Sequence, residues 1–241
     1  MANIALIIAG GKGARMGQDI PKQFLNVEDK PVIMYTCEAF QNHPMIDAIV
    51  VVCIDGWERI LDTYAKQFGI TKLRAVVTGG HNGQDSIKRG IDAIAEQFEP
   101  SDLVLVHDGI RPMVSRDVIT DCIRTTQLHG SAITCIPSVE ALLKTDDHES
   151  CGEIVDRNII MRTQTPQGFP LQTLLDMHRE AAERGITNSV ASCTLAIELG
   201  REVFISHGSE RNLKLTTVED IDLFKALLHA ERSSWLKGGV R

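Results

Sequence analysis

The sequence predicts an α/β protein built on a doubly wound, largely parallel sheet, and three observations carry that expectation. Apolar strand-like runs alternate with segments of helical period along most of the chain; the first run, Asn3 to Ala9, is almost unbroken in its apolarity; and a glycine-rich turn follows it directly. A nearly continuous apolar strand suits the centre of a parallel sheet covered on both faces, and βαβα order supplies the helices that cover it.

The strand-like runs are Asn3 to Ala9, Ala48 to Ile54, Leu73 to Val77, Leu103 to His107, Ala132 to Ile136 and Glu202 to Ser206. Between most of them lie helix-period segments: Val32 to Gln41, Trp57 to Phe68, Ser86 to Gln97 and Arg116 to Thr126. Two more, Leu171 to Arg184 and Ser189 to Leu199, precede the last strand, and Val218 to Glu231 reads as a closing helix capped by Thr216 or Thr217. Neither a linker nor a repeat divides the chain, so residues 1–241 read as one domain. The stretch Pro137 to Pro170 departs from this order, being polar and irregular in period. A hairpin-like arm suited to contacts between subunits accounts for it, as does a long surface loop.

Composition narrows the functional classes. A chain of 241 residues with 43% hydrophobic residues can bury a normal core, and its net charge of −7 argues against broad nucleic-acid binding, which needs a basic surface. No window approaches the roughly 18 apolar residues of a membrane span, and the amino terminus has no basic region and cleavage site, so the cytoplasm is the expected compartment. The six cysteines are dispersed without C-x-x-C spacing, and the eight histidines form no H-E-x-x-H, which favours reduced thiols over disulfides and disfavours a zinc site.

Chemistry concentrates after the strands. Residues 8 to 24 read IAGGKGARMGQDIPKQF, a glycine turn followed by Arg15 and then by Lys22 beside Pro21. Closely spaced glycines let backbone N–H groups approach a phosphate chain, and two nearby cations neutralise charge that builds on it. Gly11, Gly13 and Gly17 do not make G-x-G-x-x-G, because Met16 stands three places after Gly13, and the terminal G-K-S/T of a Walker A loop is missing. After the fourth strand comes VHDGIRP, where Asp108 is either a Mg²⁺ ligand or part of a turn-forming Asp-Gly pair. TGGHNGQDSIKRG, residues 78 to 90, puts Gly79 and Gly80 after a strand and Asp85 or Ser86 near a helix start, as a binding turn or as a simple N-cap. Lys214 in RNLKLTTVEDI and Arg157 in VDRN read as ordinary solvated charges when taken singly.

As an ordered set, IAGGKGARMG, PKQF, the GG and DSI of the third-strand loop, VHDGIRP, VDRN, QTPQGF and NLKLT resemble the cytidylyltransferase family that makes CDP-alditols. Its two main branches act on 2-C-methyl-D-erythritol 4-phosphate and on D-ribitol 5-phosphate. The resemblance implies a Rossmann-like nucleotidyltransferase fold, CTP and a small polyol phosphate as substrates, Mg²⁺ as cofactor, and a homodimer in which an arm completes the neighbouring site. It further implies that Arg15 and Lys22 stabilise the transition state at the α-phosphate and that Asp108 holds the metal. Ile8, Ala9, Gly10, Gly11 and Gly13 would cradle the triphosphate, with Gly80, Ser86 and Gly109 lining the cytidine pocket. Arg157 and Lys214 would hold the alditol phosphate.

The chain departs from the family pattern in three places. Gly83 stands where an arginine is usual, with Lys88 and Arg89 nearby as substitutes; Thr187-Asn188 replaces Thr-Asp; and Glu140-Ala141 replaces an Asp-Thr pair in the arm. The glycine of AGGKG and the phenylalanine of PKQF lean towards the ribitol-phosphate branch. A nucleotide-binding regulator without catalysis is the competing class, motivated by those same departures. A Rossmann dehydrogenase is disfavoured by the missing glycine fingerprint.

Overall fold

The computed structural model describes residues 1–11 and 20–232. After β1 (Asn3–Ala9) come a short hairpin of β2 (Asn26–Val27) and β3 (Lys30–Pro31), α1 (Val32–Gln41), β4 (Ala48–Cys53), α2 (Glu58–Gln67), β5 (Leu73–Thr78) and α3 (Gly83–Ala95). The second half runs β6 (Leu103–Asp108), α4 (Arg116–His129), β7 (Ala132–Pro137), the hairpin β8 (Leu142–Lys144) and β9 (Glu153–Val155), then β10 (Met161–Pro170). It ends with α5 (Leu171–Glu183), α6 (Ser192–Glu198), β11 (Ile205–His207) and α7 (Val218–Arg232).

Seven strands form the main sheet in the order β11-β7-β10-β6-β1-β4-β5. Alternation along the strands sends each face to its own core. Ala5, Ile7 and Ala9 of β1, with Ile49, Val51 and Cys53 of β4, pack with Ile33, Met34, Leu61 and Ile119 from α1, α2 and α4. Ile4 and Leu6, with Val50 and Val52, pack with Ile91, Leu174 and Leu195 from α3, α5 and α6. Two buried faces require both residue parities to be apolar, which is why β1 and β4 read as unbroken hydrophobic runs. A third, smaller cluster fixes α7: Phe224 meets Tyr35 edge-on, ring centroids 5.2 Å apart, with Leu215 and Ile110 beside them.

Four features correct the sequence-based expectations. The segment 137–170 is not all excursion: only the β8–β9 hairpin departs from the sheet, whereas β10 inserts antiparallel between β6 and β7. Its sequence conceals this because buried Gln164 and Gln167 interrupt the apolar pattern, their amides bonded within the protein. The last strand covers Ile205–His207 rather than Glu202 to Ser206, since its pairing partners on β7 are Ile133 to Cys135. Helix α6 starts at Ser192, not Ser189, because the Ser189 N–H donates to Gln84 Oε1 at 2.8 Å and is drawn away from the helix. Helix α3 is capped by Asn82, whose side chain accepts from the Asp85 N–H at 2.8 Å, so neither Asp85 nor Ser86 is the cap. At α7, Thr217 and Asp220 exchange side-chain-to-backbone bonds in a capping box. All six cysteines are free, and burial pushes the thiols of Cys37, Cys53 and Cys122 up to about 12. Among the described residues, no helix is long and apolar enough to cross a membrane.

Candidate active site

The strand order reverses at β1: the chain moves outward through β4 and β5, then returns to place β6 on the other side. A crevice opens at such a switch point, beyond the carboxyl ends of the strands, and ligands of open α/β sheets bind there. Three loops meet at it, and each carries one of the sequence motifs.

The carboxyl end of β1 is held by its neighbour β6. Ile8 is paired with Asp108, and the Gly109 N–H donates to the Ile8 carbonyl at 2.8 Å, so the first and fourth motifs are adjacent by register. The β5–α3 turn arrives from the other side: the Gly79 N–H donates to the Cys53 carbonyl at 2.7 Å, and a Cβ on Gly79 would stand 3.2 Å from the Gly10 Cα. Two backbones can approach so closely only where both residues lack a side chain. Ser86 Oγ accepts the Gly80 N–H at 3.0 Å, and Arg89 donates to the Gly79 carbonyl at 3.1 Å. The buried serine and the arginine both order this turn. Lys88 pairs with Asp92 at 2.6 Å on the exposed surface of the helix.

Lys22 begins a short 3-10 turn, Lys22–Phe24, set against the loop by its neighbours. Gln23 Nε2 donates to the carbonyls of Ala9 at 2.7 Å and Gly11 at 3.0 Å, while Phe24 stacks on Trp57 with centroids 4.6 Å apart. Gly13 and Arg15 lie outside the described residues.

Asp108 closes the crevice. Its Oδ2 accepts from Arg111 Nε at 2.9 Å and its Oδ1 from Lys214 Nζ at 3.1 Å. Lys214 reaches it because its chain is anchored on both sides: Arg111 donates to the Asn212 carbonyl at 2.7 Å, and the Leu215 N–H donates to the Ile110 carbonyl at 2.9 Å. Burial alone would push the Asp108 carboxyl up, but Lys214 and Arg111 outweigh it and hold the group below the usual aspartate value. The carboxylate is therefore ionised at neutral pH.

Behind Asp108 stands a residue that the motifs did not single out. Thr165 Oγ1 accepts the Asp108 N–H at 3.0 Å and lies 3.0 Å from Nδ1 of fully buried His107. The hydroxyl proton goes to Nδ1, which puts the histidine proton on Nε2, 3.3 Å from the Arg111 carbonyl. Burial pulls His107 down to about 4, so the ring is neutral and structural. Gln164 and Asn212 complete this support: Gln164 Nε2 donates to the Ser209 carbonyl at 2.9 Å, and Asn212 Nδ2 to the Thr165 carbonyl at 2.8 Å. In the sequence Gln164 and Thr165 are signalled only by the cluster of amides and hydroxyls in QTPQGF, which has no helix or strand period, and Asn212 only as the first residue of NLKLT.

Arg157 is placed differently. It sits at the root of the β8–β9 hairpin, exposed, and donates to the Val139 carbonyl at 2.7 Å; no bond joins it to Asp108 or Lys214. The structure thus brings together Ile8, Ala9, Gly10, Gly80, Ser86, Gly109, Asp108 and Lys214, with Gly11 and Lys22 tied in through Gln23, and leaves Arg157 on the arm. Among the described residues, no group of three or more His, Cys, Asp or Glu side chains forms a metal centre. A phosphate-bound Mg²⁺ needs only one or two carboxylates, its other ligands being phosphate oxygens and water, so the single Asp108 carboxylate is a fitting donor set.

A family model described as 2-C-methyl-D-erythritol 4-phosphate cytidylyltransferase matches residues 3–230. The chain is 40% identical over 240 residues to a ribitol-5-phosphate cytidylyltransferase of Streptococcus agalactiae, covering 99% of this chain and 100% of the relative. It is 32% identical over 227 residues to a 2-C-methyl-D-erythritol 4-phosphate cytidylyltransferase of Clostridium botulinum, covering 94% and 97%. The solved structure of the 2-C-methyl-D-erythritol 4-phosphate cytidylyltransferase from Thermus thermophilus is similar with a TM-score of 0.75 and 29% identity, over 95% of this chain and 100% of that one. The sheet is accordingly the Rossmann-like sheet of a nucleotidyltransferase, with the glycine loop and Asp108 at its switch point. By the span of the match and the motifs it covers, the chain belongs to the 2-C-methyl-D-erythritol 4-phosphate cytidylyltransferase family.

Proposed function

We propose that the protein transfers a cytidylyl group from CTP to D-ribitol 5-phosphate, giving CDP-ribitol and pyrophosphate. The observation that carries the choice of acceptor is the gap in similarity. Relatives named for ribitol 5-phosphate are 39% to 40% identical across nearly the whole chain, against 32% for those named for 2-C-methyl-D-erythritol 4-phosphate.

The reaction asks for the arrangement found at the crevice. A phosphate oxygen of the acceptor attacks the α-phosphorus of CTP in line, a P–O bond forms, and the bond to pyrophosphate breaks with its electron pair on the leaving group. No covalent enzyme intermediate is needed, so catalysis rests on orienting two anions and stabilising the charge of the transition state. The β1 loop would cradle the triphosphate and Lys22, with Arg15, would stabilise the reacting phosphorus and the leaving pyrophosphate. Lys214 would exchange its bond to Asp108 for one to the acceptor phosphate. Asp108 would be the residue to hold Mg²⁺, which would supply charge neutralisation on the phosphate oxygens.

Arg157 would reach an acceptor from the arm of a neighbouring copy of the chain. A homodimer is consistent with the exposed Leu143, Ile154 and Ile159 along the hairpin and its root. Cytoplasmic action fits the need for CTP and the five buried free thiols. The test is a product assay: with CTP, Mg²⁺ and D-ribitol 5-phosphate, mass spectrometry should find CDP-ribitol and equimolar pyrophosphate. CTP that binds without being consumed, with any polyol phosphate offered, would support the non-catalytic regulator instead.

A further inference from the structure

We propose that Gln23 is a positioning residue that ties the Lys22 turn to Ala9 and Gly11 at the start of the phosphate-binding loop, preorganising the two together. The inference rests on the reading of that loop as the triphosphate cradle.

Gln23 is 1% exposed, an unusual degree of burial for a glutamine in a surface-facing turn. Its Nε2 gives bonds of 2.7 Å and 3.0 Å to the carbonyls of Ala9 and Gly11, the two that flank Gly10. Both protons of one amide nitrogen are thus committed to the two shoulders of the glycine turn. Without such a clamp a glycine-rich loop has many conformations, and ordering it would oppose binding at each turnover.

The same residue also fixes Lys22. The turn Lys22–Phe24 is short, closed by bonds from the Phe24 N–H to the Pro21 carbonyl at 2.8 Å and from the Leu25 N–H to the Lys22 carbonyl at 3.2 Å. On one side Phe24, 4% exposed, is stacked on Trp57; on the other Gln23 grips the loop. The backbone at Lys22 is therefore anchored to the core and to Ala9 and Gly11 together. Its place relative to those two residues is set before CTP arrives, and misplacing a group by about 1 Å can cost on the order of 10²-fold in rate. A glutamate could not serve here, since its carboxylate would face two carbonyl oxygens with no proton to share.

The decisive variant is Gln23→Met, which keeps length and apolar volume but removes the donor. Calorimetric titration should show CTP binding weakened by about tenfold, and kcat should fall on the order of 10²-fold while the acceptor KM moves less than about threefold. If Gln23 acts through Lys22, the same substitution in a Lys22→Ala background should cost less than about threefold more. CTP affinity and kcat within about twofold of wild type, or full additivity of the two changes, would overturn the proposal. The CTP titration needs no acceptor, so failure to turn over D-ribitol 5-phosphate counts against the acceptor reading and not against this one. Gln23→Asn, which keeps the amide but withdraws it by one carbon, guards against a Met variant that does not fold, and the same losses are expected of it.

Discussion

Lys214 donates to Oδ1 of Asp108 at 3.1 Å, joining residues that are 106 positions apart in the chain. The pair is one half of a three-membered arrangement, since Arg111 takes the other carboxylate oxygen at 2.9 Å. One aspartate therefore holds two cations at the mouth of the crevice.

Replacing Asp108 with asparagine keeps the shape and removes the charge. Arg111 has a side chain only 10% exposed and would be left facing a neutral amide, so stability should fall by about 1–3 kcal/mol, measured by urea denaturation. Turnover should fall on the order of 10²-fold or more, beyond what the stability change explains. Lys214→Met should instead raise the acceptor KM while leaving CTP affinity within about twofold. Equal weakening of both substrates in Lys214→Met would place that lysine at the nucleotide.

Lys22→Ala and Arg15→Ala should each lower kcat on the order of 10²-fold or more with little change in unfolding midpoint. Arg15 lies outside the described residues, and the role proposed for it is the one that the family resemblance implies. A Lys22→Ala enzyme with near-wild-type turnover would remove Lys22 from the reacting centre.

The approach of Gly10 and Gly79 gives a steric test. A methyl on Gly79 would stand 3.2 Å from both the Cys53 carbonyl oxygen and the Gly10 Cα, and both are backbone atoms that cannot rotate aside. Gly79→Ala should separate the two loops and weaken CTP binding by about tenfold, with a destabilisation of about 1–2 kcal/mol. Unchanged CTP affinity would mean that the loops do not jointly form the nucleotide site.

Acid should weaken the fold through its buried histidines. Burial pulls both His107 and His178 from 6.5 down to about 4. Between those values the unfolded chain binds protons that the folded protein refuses, so stability present above about pH 6.5 is lost as pH falls towards 4. The loss should amount to about 1–3 kcal/mol per histidine. Asp108 acts in the same direction at lower pH, because its folded value lies below the ordinary one. Unfolding midpoints at pH 7.5, 5.5 and 4.5 would trace this, and His178→Gln should flatten the slope; an unaltered slope would exclude His178 as a source.

Those elements whose burial is apolar were legible in the sequence, and those held by polar bonds were not. β1, β4 and β6 announce themselves because both faces are covered, α1 because it is buried nearly all round, and α2 because one face is. β10 was hidden, since Gln164 and Gln167 are buried and Thr165 half-buried, all three satisfied by bonds to distant residues, which leaves no period to read. The site divides in the same way. Glycines, Asp108 and Lys22 are recognisable by type and order, whereas Gln23 and Thr165 matter through contacts that only the fold creates. Arg157 and Lys214 look equivalent in the sequence, yet one is tied into the crevice and the other stands on the arm.

The acceptor is decided by the ratio of kcat/KM for D-ribitol 5-phosphate to that for 2-C-methyl-D-erythritol 4-phosphate, both measured by pyrophosphate release with saturating CTP and Mg²⁺. A ratio on the order of 10² or more in favour of D-ribitol 5-phosphate is expected, the scale available to an acceptor site with dedicated polar contacts. A ratio below one, with efficient turnover of the methylerythritol substrate, would contradict the proposed acceptor.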